Sequence, residues 1–349
     1  MRIVLTGGGT AGHCMPNLAL LPFLRKDFSE IFYIGSKTGT EKTLVKNAGL
    51  PYYEIPTCKL RRALTAENLK IPFVLIKSVK ESEKLLETLR PDVVFSKGGY
   101  VGLPAALACK RLKIPLVCHE SDRSMGLSNK IAARSATVTL TAFPIRAKNM
   151  LLVGTPLREE LFSVPRSAAL SRYGFSGKKP VLLVVGGSSG ALALNRALLR
   201  VLPRLTDFDV LHLTGKKNTL PLPDRAGYVA VPFEEKPEYA YAAADFALSR
   251  AGANALFELL ALGIPTLAVP LATGRGDQKE NAAFFEKKGA LLVLNEQNLD
   301  PDVLLFRLLA LKKNAAAIRE RIRSLQIENA SEKIEKILKK VAETGEFSK

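Results

Sequence analysis

Residues 2–13 read RIVLTGGGTAGH, and residues 181–191 read VLLVVGGSSGA. Each passes from a short apolar run through a cluster of glycines into a helix-compatible stretch. Glycine lets backbone N–H groups approach a ligand closely, and the following helix N-terminus presents unpaired donors with a positive partial charge. Both turns therefore suit a phosphate. Neither is a P-loop, because the Lys-Ser/Thr pair is missing, and neither carries GxGxxG in register for a dinucleotide. Two such openings about 180 residues apart predict two doubly wound domains rather than one continuous sheet.

Outward from these openings, apolar runs alternate with helical patterns: IFYIG, DVVFS, PLVCH and TVTLT, then DVLHLT, YVAV, DFALS and PTLAVP. Short apolar strands separated by helices predict an α/β protein with parallel sheets covered on both faces. The junction is expected in VGTPLREELFSVPRSAAL, where Pro156 and Pro165 interrupt the pattern. Ligands of doubly wound folds bind beyond the carboxyl ends of the strands, so two facing domains would share a substrate crevice. From Pro301 onward the chain is rich in Leu, Lys, Glu and Ala at helical spacing, which predicts an amphipathic closing helix with no chemistry.

Composition bounds the function. A chain of 349 residues accommodates two domains of roughly 150 residues. Its 47% hydrophobic and 24% charged residues place it among globular chains rather than disordered ones. The first residues run straight into glycines, without a secretory signal, and no apolar run reaches the ~18 residues of a spanning helix. Cys14, Cys58, Cys109 and Cys118 lack CxxC spacing and read as reduced thiols in a cytosolic protein, with no metal site. The net charge of +18 favours an anionic partner: nucleic acid, an anionic membrane or a phosphorylated substrate. With no tryptophan, no aromatic-interleaved basic motif and no zinc-finger spacing, nucleic acid has only the charge in its favour. His13, at the mouth of the first turn, can accept a proton near neutral pH or bond an anion.

Six segments then resemble one family in order and spacing: TGGGTAGH at 6–13, KGGYVGLPAALA at 97–108, HESDRSMGLSNKIAARSA at 119–136, VGTPLR at 153–158, GGSSGALALN at 186–195, and SRAGANALFELLALGIPTLAVPL at 249–271 followed by DQKENA. The chain resembles the MurG family of peptidoglycan N-acetylglucosaminyltransferases from Met1 to about Gly289. The resemblance implies a GT-B fold of two Rossmann-like doubly wound parallel-sheet domains facing a cleft. Residues 1–157, joined by a final helix at about 332–349, would bind acceptor and membrane, and residues 158–331 would bind UDP-N-acetylglucosamine. It implies inverting transfer to the muramyl 4-hydroxyl of lipid I, giving the β-1,4 linkage of lipid II. A diacylglycerol glycosyltransferase of the same fold, a non-catalytic sugar-nucleotide binder and a nucleic-acid binder are the alternatives.

Carried onto this sequence, the catalytic group is His13, the candidate base or its companion beside another proton acceptor, with Tyr100 and Glu120. Thr10, Ala11, Gly12 and Asp122 join the donor-binding set from the N-terminal half. Gly8, Gly9, Gly98, Gly99 and Asn129 would serve the acceptor and its phosphates. His119 is either a further acceptor-side residue or a buried hydrogen-bonded histidine. In the C-terminal half, Ala253, Asn254, Ala255 and Leu256 form the turn facing the diphosphate, and Glu258 would accept both ribose hydroxyls, as a carboxylate with only acceptor atoms can. Phe233 would bracket uracil, Ser188 would bond a phosphate or sugar oxygen, and Asp277, Gln278 and Asn281 would read the donor sugar. Arg158 would pair with the diphosphate as charge builds on the leaving group. Ser189, Asp122 and Asp277 depart from the family's usual Gln, Asn and Gln or His. No cofactor or metal is implied, and no Asp-x-Asp motif of the kind metal-dependent glycosyltransferases use is read.

The stretch CKLRRALTAENLKIPFVLIKSVK mixes Leu60, Leu64, Leu69, Ile71, Phe73 and Leu75 with Arg61, Arg62, Lys70, Lys77 and Lys80. Apolar groups flanked by cations suit the interface of an anionic leaflet. The expected partners are UDP-N-acetylglucosamine, lipid I and an anionic membrane surface, with cell-wall synthesis and division proteins, at the cytoplasmic face of the inner membrane.

Overall fold

The computed structural model describes residues 1–57, 71–145, 147–187 and 190–347. Leu60, Arg61, Arg62, Leu64, Leu69 and Lys70 of the basic apolar stretch, and Ser188 and Ser189 of the second glycine turn, lie outside them. The chain forms two compact units, Met1–Arg158 with Asn329–Lys349, and Glu159–Glu328.

The first unit holds seven parallel strands: β1 (Arg2–Thr6), β2 (Glu30–Ser36), β3 (Tyr52–Ile55), β4 (Val93–Ser96), β5 (Leu116–Glu120), β6 (Val138–Thr141) and β7 (Met150–Leu152), in the order β3-β2-β1-β4-β5-β6-β7. Its helices are α1 (Ala11–Ala19), α2 (Leu21–Asp27), α3 (Glu41–Asn47), α4 (Ile71–Leu89), α5 (Gly99–Leu112) and α6 (Leu127–Ala132). Successive strand residues face opposite sides, so Ile3, Leu5, Val93 and Phe95 enter one core while Val4, Ile34, Val94 and Cys118 enter the other. Both faces are covered, which is why the strands read as unbroken apolar runs. Burial pushes the thiols of Cys14 and Cys118 up to about 12, so they remain protonated packing groups.

The second unit repeats the plan. Its strands β8 (Val181–Val185), β9 (Asp209–Leu213), β10 (Tyr228–Val231), β11 (Phe246–Ser249), β12 (Thr266–Ala268) and β13 (Leu292–Val293) run parallel in the order β10-β9-β8-β11-β12-β13. Helices α7 (Arg166–Tyr173), α8 (Leu192–Val201), α9 (Pro237–Ala243), α10 (Ala253–Ala261), α11 (Asp277–Glu286), α12 (Pro301–Lys313) and α13 (Ala315–Ser324) surround it. In each unit the strand order reverses beside its first strand, and the glycine turn leaves that strand's carboxyl end. A ligand crevice is expected at this switch point.

The last helix, α14 (Ser331–Thr344), returns to the first unit and adds Ile334, Leu338 and Val341 to its core. Their i, i+4, i+7 spacing forms one apolar stripe, each residue stabilising by about 1.5–3 kcal/mol. The amphipathic tail is therefore a structural part of the first unit. Asn329 marks the return: its Oδ1 accepts from Leu157 N and its Nδ2 donates to Leu157 O, both at 2.9 Å. Arg158 thus ends the first unit, one residue later than the sequence placed the boundary. No helix of the described residues is long and apolar enough to cross a membrane.

Candidate functional site

The first unit's site begins where β1 meets its glycine turn. Gly9 has φ 86°, a left-handed conformation that a side chain resists, and a Cβ there would lie 2.4 Å from the Tyr100 ring. A Cβ on Gly99 would lie 2.7 Å from Gly8 O, and one on Gly98 2.2 Å from Asn129 Oδ1. Glycine is required here because two turns interlock at the carboxyl ends of β1 and β4. That interlock brings His13, Tyr100, Asn129 and the four glycines together. Thr10 Oγ1 stands 2.9 Å from His13 Nδ1 and orients the ring.

Two expectations change. Gly9's amide, expected to meet a phosphate, donates instead to the buried carboxylate of Glu41 at 3.2 Å. Glu120, expected in the catalytic group, is also buried. It accepts from Asp122 N and Gly126 N, each at 3.0 Å, and from Asn129 Nδ2 at 2.9 Å. Its lone pairs build the loop that carries Asp122, leaving the carboxylate poorly placed to take a substrate proton. Asn129 is its brace, and reaches His119 O as well.

His119 is the buried alternative. Its Nε2 stands 2.9 Å from Gly154 O, which can only accept, so Nε2 carries the proton and Nδ1 accepts from Lys97 Nζ at 2.6 Å. Burial and the neighbouring Lys97 hold the imidazole well below its usual range. The sequence reading passed over Lys97, which also donates to Ser121 Oγ at 2.7 Å. Its signal was a lysine directly after the apolar run VVFS, at the sheet's switch point. Burial pushes Lys97 down from 10.5 to about 7, against the pull of Glu120 and Asp122. Between those two values the unfolded chain binds the extra proton, so stability rises with pH across that window, at up to about 1.4 kcal/mol per pH unit. Lys97→Met removes this slope. Its stability relative to the unsubstituted protein should therefore fall between pH 7 and 9 in denaturant titrations, and a constant difference would refute the titration.

In the second unit, a Cβ on Gly190 (φ 83°) would lie 2.3 Å from Thr214 O. Asn195 Nδ2 donates to the same carbonyl at 2.8 Å, which turns its Oδ1 toward His212 Nε2 at 3.1 Å. His212 Nδ1 then accepts from the Tyr228 hydroxyl, 2.9 Å away. Burial lowers His212 to about 4, so this network under the glycine turn stays neutral.

At the carboxyl end of β11, Gly252 precedes α10, and a Cβ added there meets nothing within 4 Å. The amino end of α10, with Ala253, Asn254, Ala255 and Leu256, is thus open on the side of Gly252. One turn on, Glu258 accepts from the Tyr241 hydroxyl at 2.8 Å. Buried Arg250 pairs with Glu296, which also accepts from Ala272 N at 2.8 Å. Sequence reasoning missed this tie between the α10 turn and the 271–276 loop, because the partners stand 46 residues apart. Gln278 Oε1 accepts from Leu271 N at 3.0 Å, and Asp277 pairs with Arg275. Asn281 departs from expectation. It is fully buried and donates to Ala251 O at 3.3 Å, bracing the α10 turn rather than presenting itself to a sugar. Phe233 is exposed with Lys216 Nζ 4.0 Å from its ring centre. Its loop is anchored by buried Glu234, which accepts from Tyr173, Arg172 and Lys236 N.

Two Asp-x-Asp triplets do occur, at 207–209 and 300–302. Asp209 opens β9 at its amino end, Asp207 pairs with Lys312, Asp302 with Arg204, and Asp300 caps α12. Neither stands at a strand's carboxyl end. Among the described residues no group of three or more His, Cys, Asp or Glu could hold a metal ion.

Residues 3–141 match the glycosyltransferase family 28 N-terminal domain, and residues 181–341 match the glycosyltransferase family 28 C-terminal domain. A UDP-N-acetylglucosamine–N-acetylmuramyl-(pentapeptide) pyrophosphoryl-undecaprenol N-acetylglucosamine transferase of Lachnospira eligens is 43% identical over 347 residues, 97% of each chain. The protein of that description from Lachnoclostridium phytofermentans is 46% identical over 314 residues, covering 87% of this chain and 88% of the relative. The crystal structure of Acinetobacter baumannii MurG superposes with a TM-score of 0.76 at 27% identity, covering 97% of this chain and 99% of the other.

Proposed function

Since the chain belongs to glycosyltransferase family 28, with the MurG N-acetylglucosaminyltransferases, we propose that it transfers N-acetylglucosamine from UDP-N-acetylglucosamine to lipid I, forming lipid II for peptidoglycan. The observation that carries this reading is identity of 43% across 97% of both chains, with both halves of the family present in order.

On this reading the second unit holds the donor. The amino end of α10 receives the diphosphate, Glu258 the ribose and Phe233 the uracil. Helix N-termini and cations strengthen their grip as UDP leaves, supplying the charge stabilisation that a metal gives elsewhere. The first unit presents the acceptor. His13, held by Thr10, takes the proton from the 4-hydroxyl as that oxygen attacks the anomeric carbon from the face opposite UDP. The carbon is inverted in one displacement, giving the β-1,4 linkage without a covalent intermediate.

Lipid I carries a polyprenyl chain, so the enzyme works at a membrane, peripherally and on its cytoplasmic face. On α4, Phe73 is 76% exposed and Ile76 55% exposed, with Lys77 one residue on. Exposed apolar side chains among cations suit an anionic leaflet. Phe73→Asp should release the protein from vesicles containing phosphatidylglycerol in a flotation assay, and undiminished binding would place attachment elsewhere. The reading as a whole is tested by radiolabelled transfer from UDP-N-acetylglucosamine, with a lipid I analogue and diacylglycerol as competing acceptors. Label in the muramyl product is expected; label only in diacylglycerol, or in neither, overturns it.

A further inference from the structure

Glu41 is the first residue of α3, has no exposed surface, and was not singled out by the sequence reading. Its Oε1 accepts from Ser36 N at 3.1 Å and from Ser36 Oγ, and its Oε2 accepts from Gly9 N at 3.2 Å. Its carboxyl group reaches the end of β2 and the first glycine turn at once. Space is made for it on two sides, since a Cβ on Gly8 would lie 2.6 Å from Glu41 Cδ and one on Gly39 2.1 Å from Oε2. A buried carboxylate persists only where it is well hydrogen-bonded, and an amide donating to a charged acceptor makes one of the stronger bonds available.

We propose that Glu41 is a positioning residue for the acceptor side: its carboxylate clamps the Gly8–Gly9 turn and, through it, sets Thr10 and His13. The route is short. Gly9 is tethered to Glu41 and packed on the Tyr100 ring, Thr10 follows it in the chain, and Thr10 Oγ1 holds His13 Nδ1 at 2.9 Å. The same carboxylate closes Gly9's amide to a phosphate, because an incoming anion would meet a buried negative charge. The acceptor's diphosphate is therefore bound elsewhere than at this amide. The proposal rests on the transferase reading above.

Glu41→Gln in the full chain tests it. Glutamine keeps the volume but has one carbonyl oxygen, so either Ser36 N or Gly9 N faces an amide N–H instead of an acceptor. With a lipid I analogue as acceptor, kcat/KM for the acceptor should fall about tenfold or more while UDP affinity stays close to that of the unsubstituted protein, and the melting temperature should drop modestly because one buried donor loses its acceptor. Gly8→Ala strikes the clamp from the other side, and Gly8 has no left-handed φ, so it tests the contact alone. It should lower the same parameter, yet cost little more in a Glu41→Ala background, because the clash has gone. Unchanged acceptor kinetics in Glu41→Gln would overturn the proposal, as would equal losses in acceptor kinetics and UDP affinity. Should Glu41→Gln not fold, Gly8→Ala with unchanged acceptor kinetics would overturn it too. An unsubstituted protein that makes no lipid II would instead sink the transferase reading.

Discussion

His13→Ala should lower turnover of a lipid I analogue by about 100- to 10,000-fold, the usual contribution of a positioned general base, while UDP-N-acetylglucosamine affinity moves by less than about twofold. The expectation follows from where the ring stands. It is partly exposed at the carboxyl end of β1, its Nδ1 is oriented by Thr10, and it lies beside a second glycine turn that leaves no room for a larger residue. The two other histidines lack this exposure, because His119 and His212 are fully buried and held neutral in networks of their own. Steady-state kinetics with varied acceptor, together with calorimetric titration of UDP, separate the two effects. Rates comparable to those of the unsubstituted protein would remove His13 as the base. An equal loss of donor affinity would make it a binding residue instead.

Glu258→Ala should weaken UDP binding by about 1–3 kcal/mol, roughly 5- to 150-fold, if its carboxylate holds two ribose hydroxyls. Its Oε2 already accepts from Tyr241, which holds the side chain in one orientation on the second turn of α10. Tyr241→Phe removes that hold but leaves the carboxylate, so a smaller loss in the same direction is expected. Titration of UDP against a 2′,3′-dideoxy analogue isolates the contact. Loss of discrimination between the two in Glu258→Ala is expected; if the variant binds UDP as tightly as the unsubstituted protein, or discriminates as strongly, the ribose assignment is refuted.

Much of the fold was legible because its cause is local. Five apolar residues followed by glycine, as in VLLVVGG, specify a buried strand and a tight exit whatever lies elsewhere in the chain. The repeat of that signal about 180 residues on pointed to a second doubly wound sheet, and the two sheets share the order of their first six strands. The position of residues that follow a strand's carboxyl end, such as His13, Tyr100 and Asn254, was legible for the same reason. That Glu120 and Asn281 bond the backbone was not legible. A carboxylate or amide next to a functional motif looks alike in sequence whether it faces substrate or backbone. Only the partners decide, and for Asn281 the partner is the carbonyl of Ala251, thirty residues away.

By itself, then, the sequence determined which segments become strands, where the backbone turns too tightly for a side chain, and to which family the motifs belong, because periodicity and glycine placement act within a few residues. The tertiary structure alone decided which polar groups are spent on holding the site. Glu41 closing on Gly9, Lys97 bonding His119, Arg250 pairing with Glu296 and Asn329 clasping Leu157 each join positions from 22 to 172 residues apart. A buried charge must find its partner wherever folding brings one, and no spacing along the chain announces where that will be.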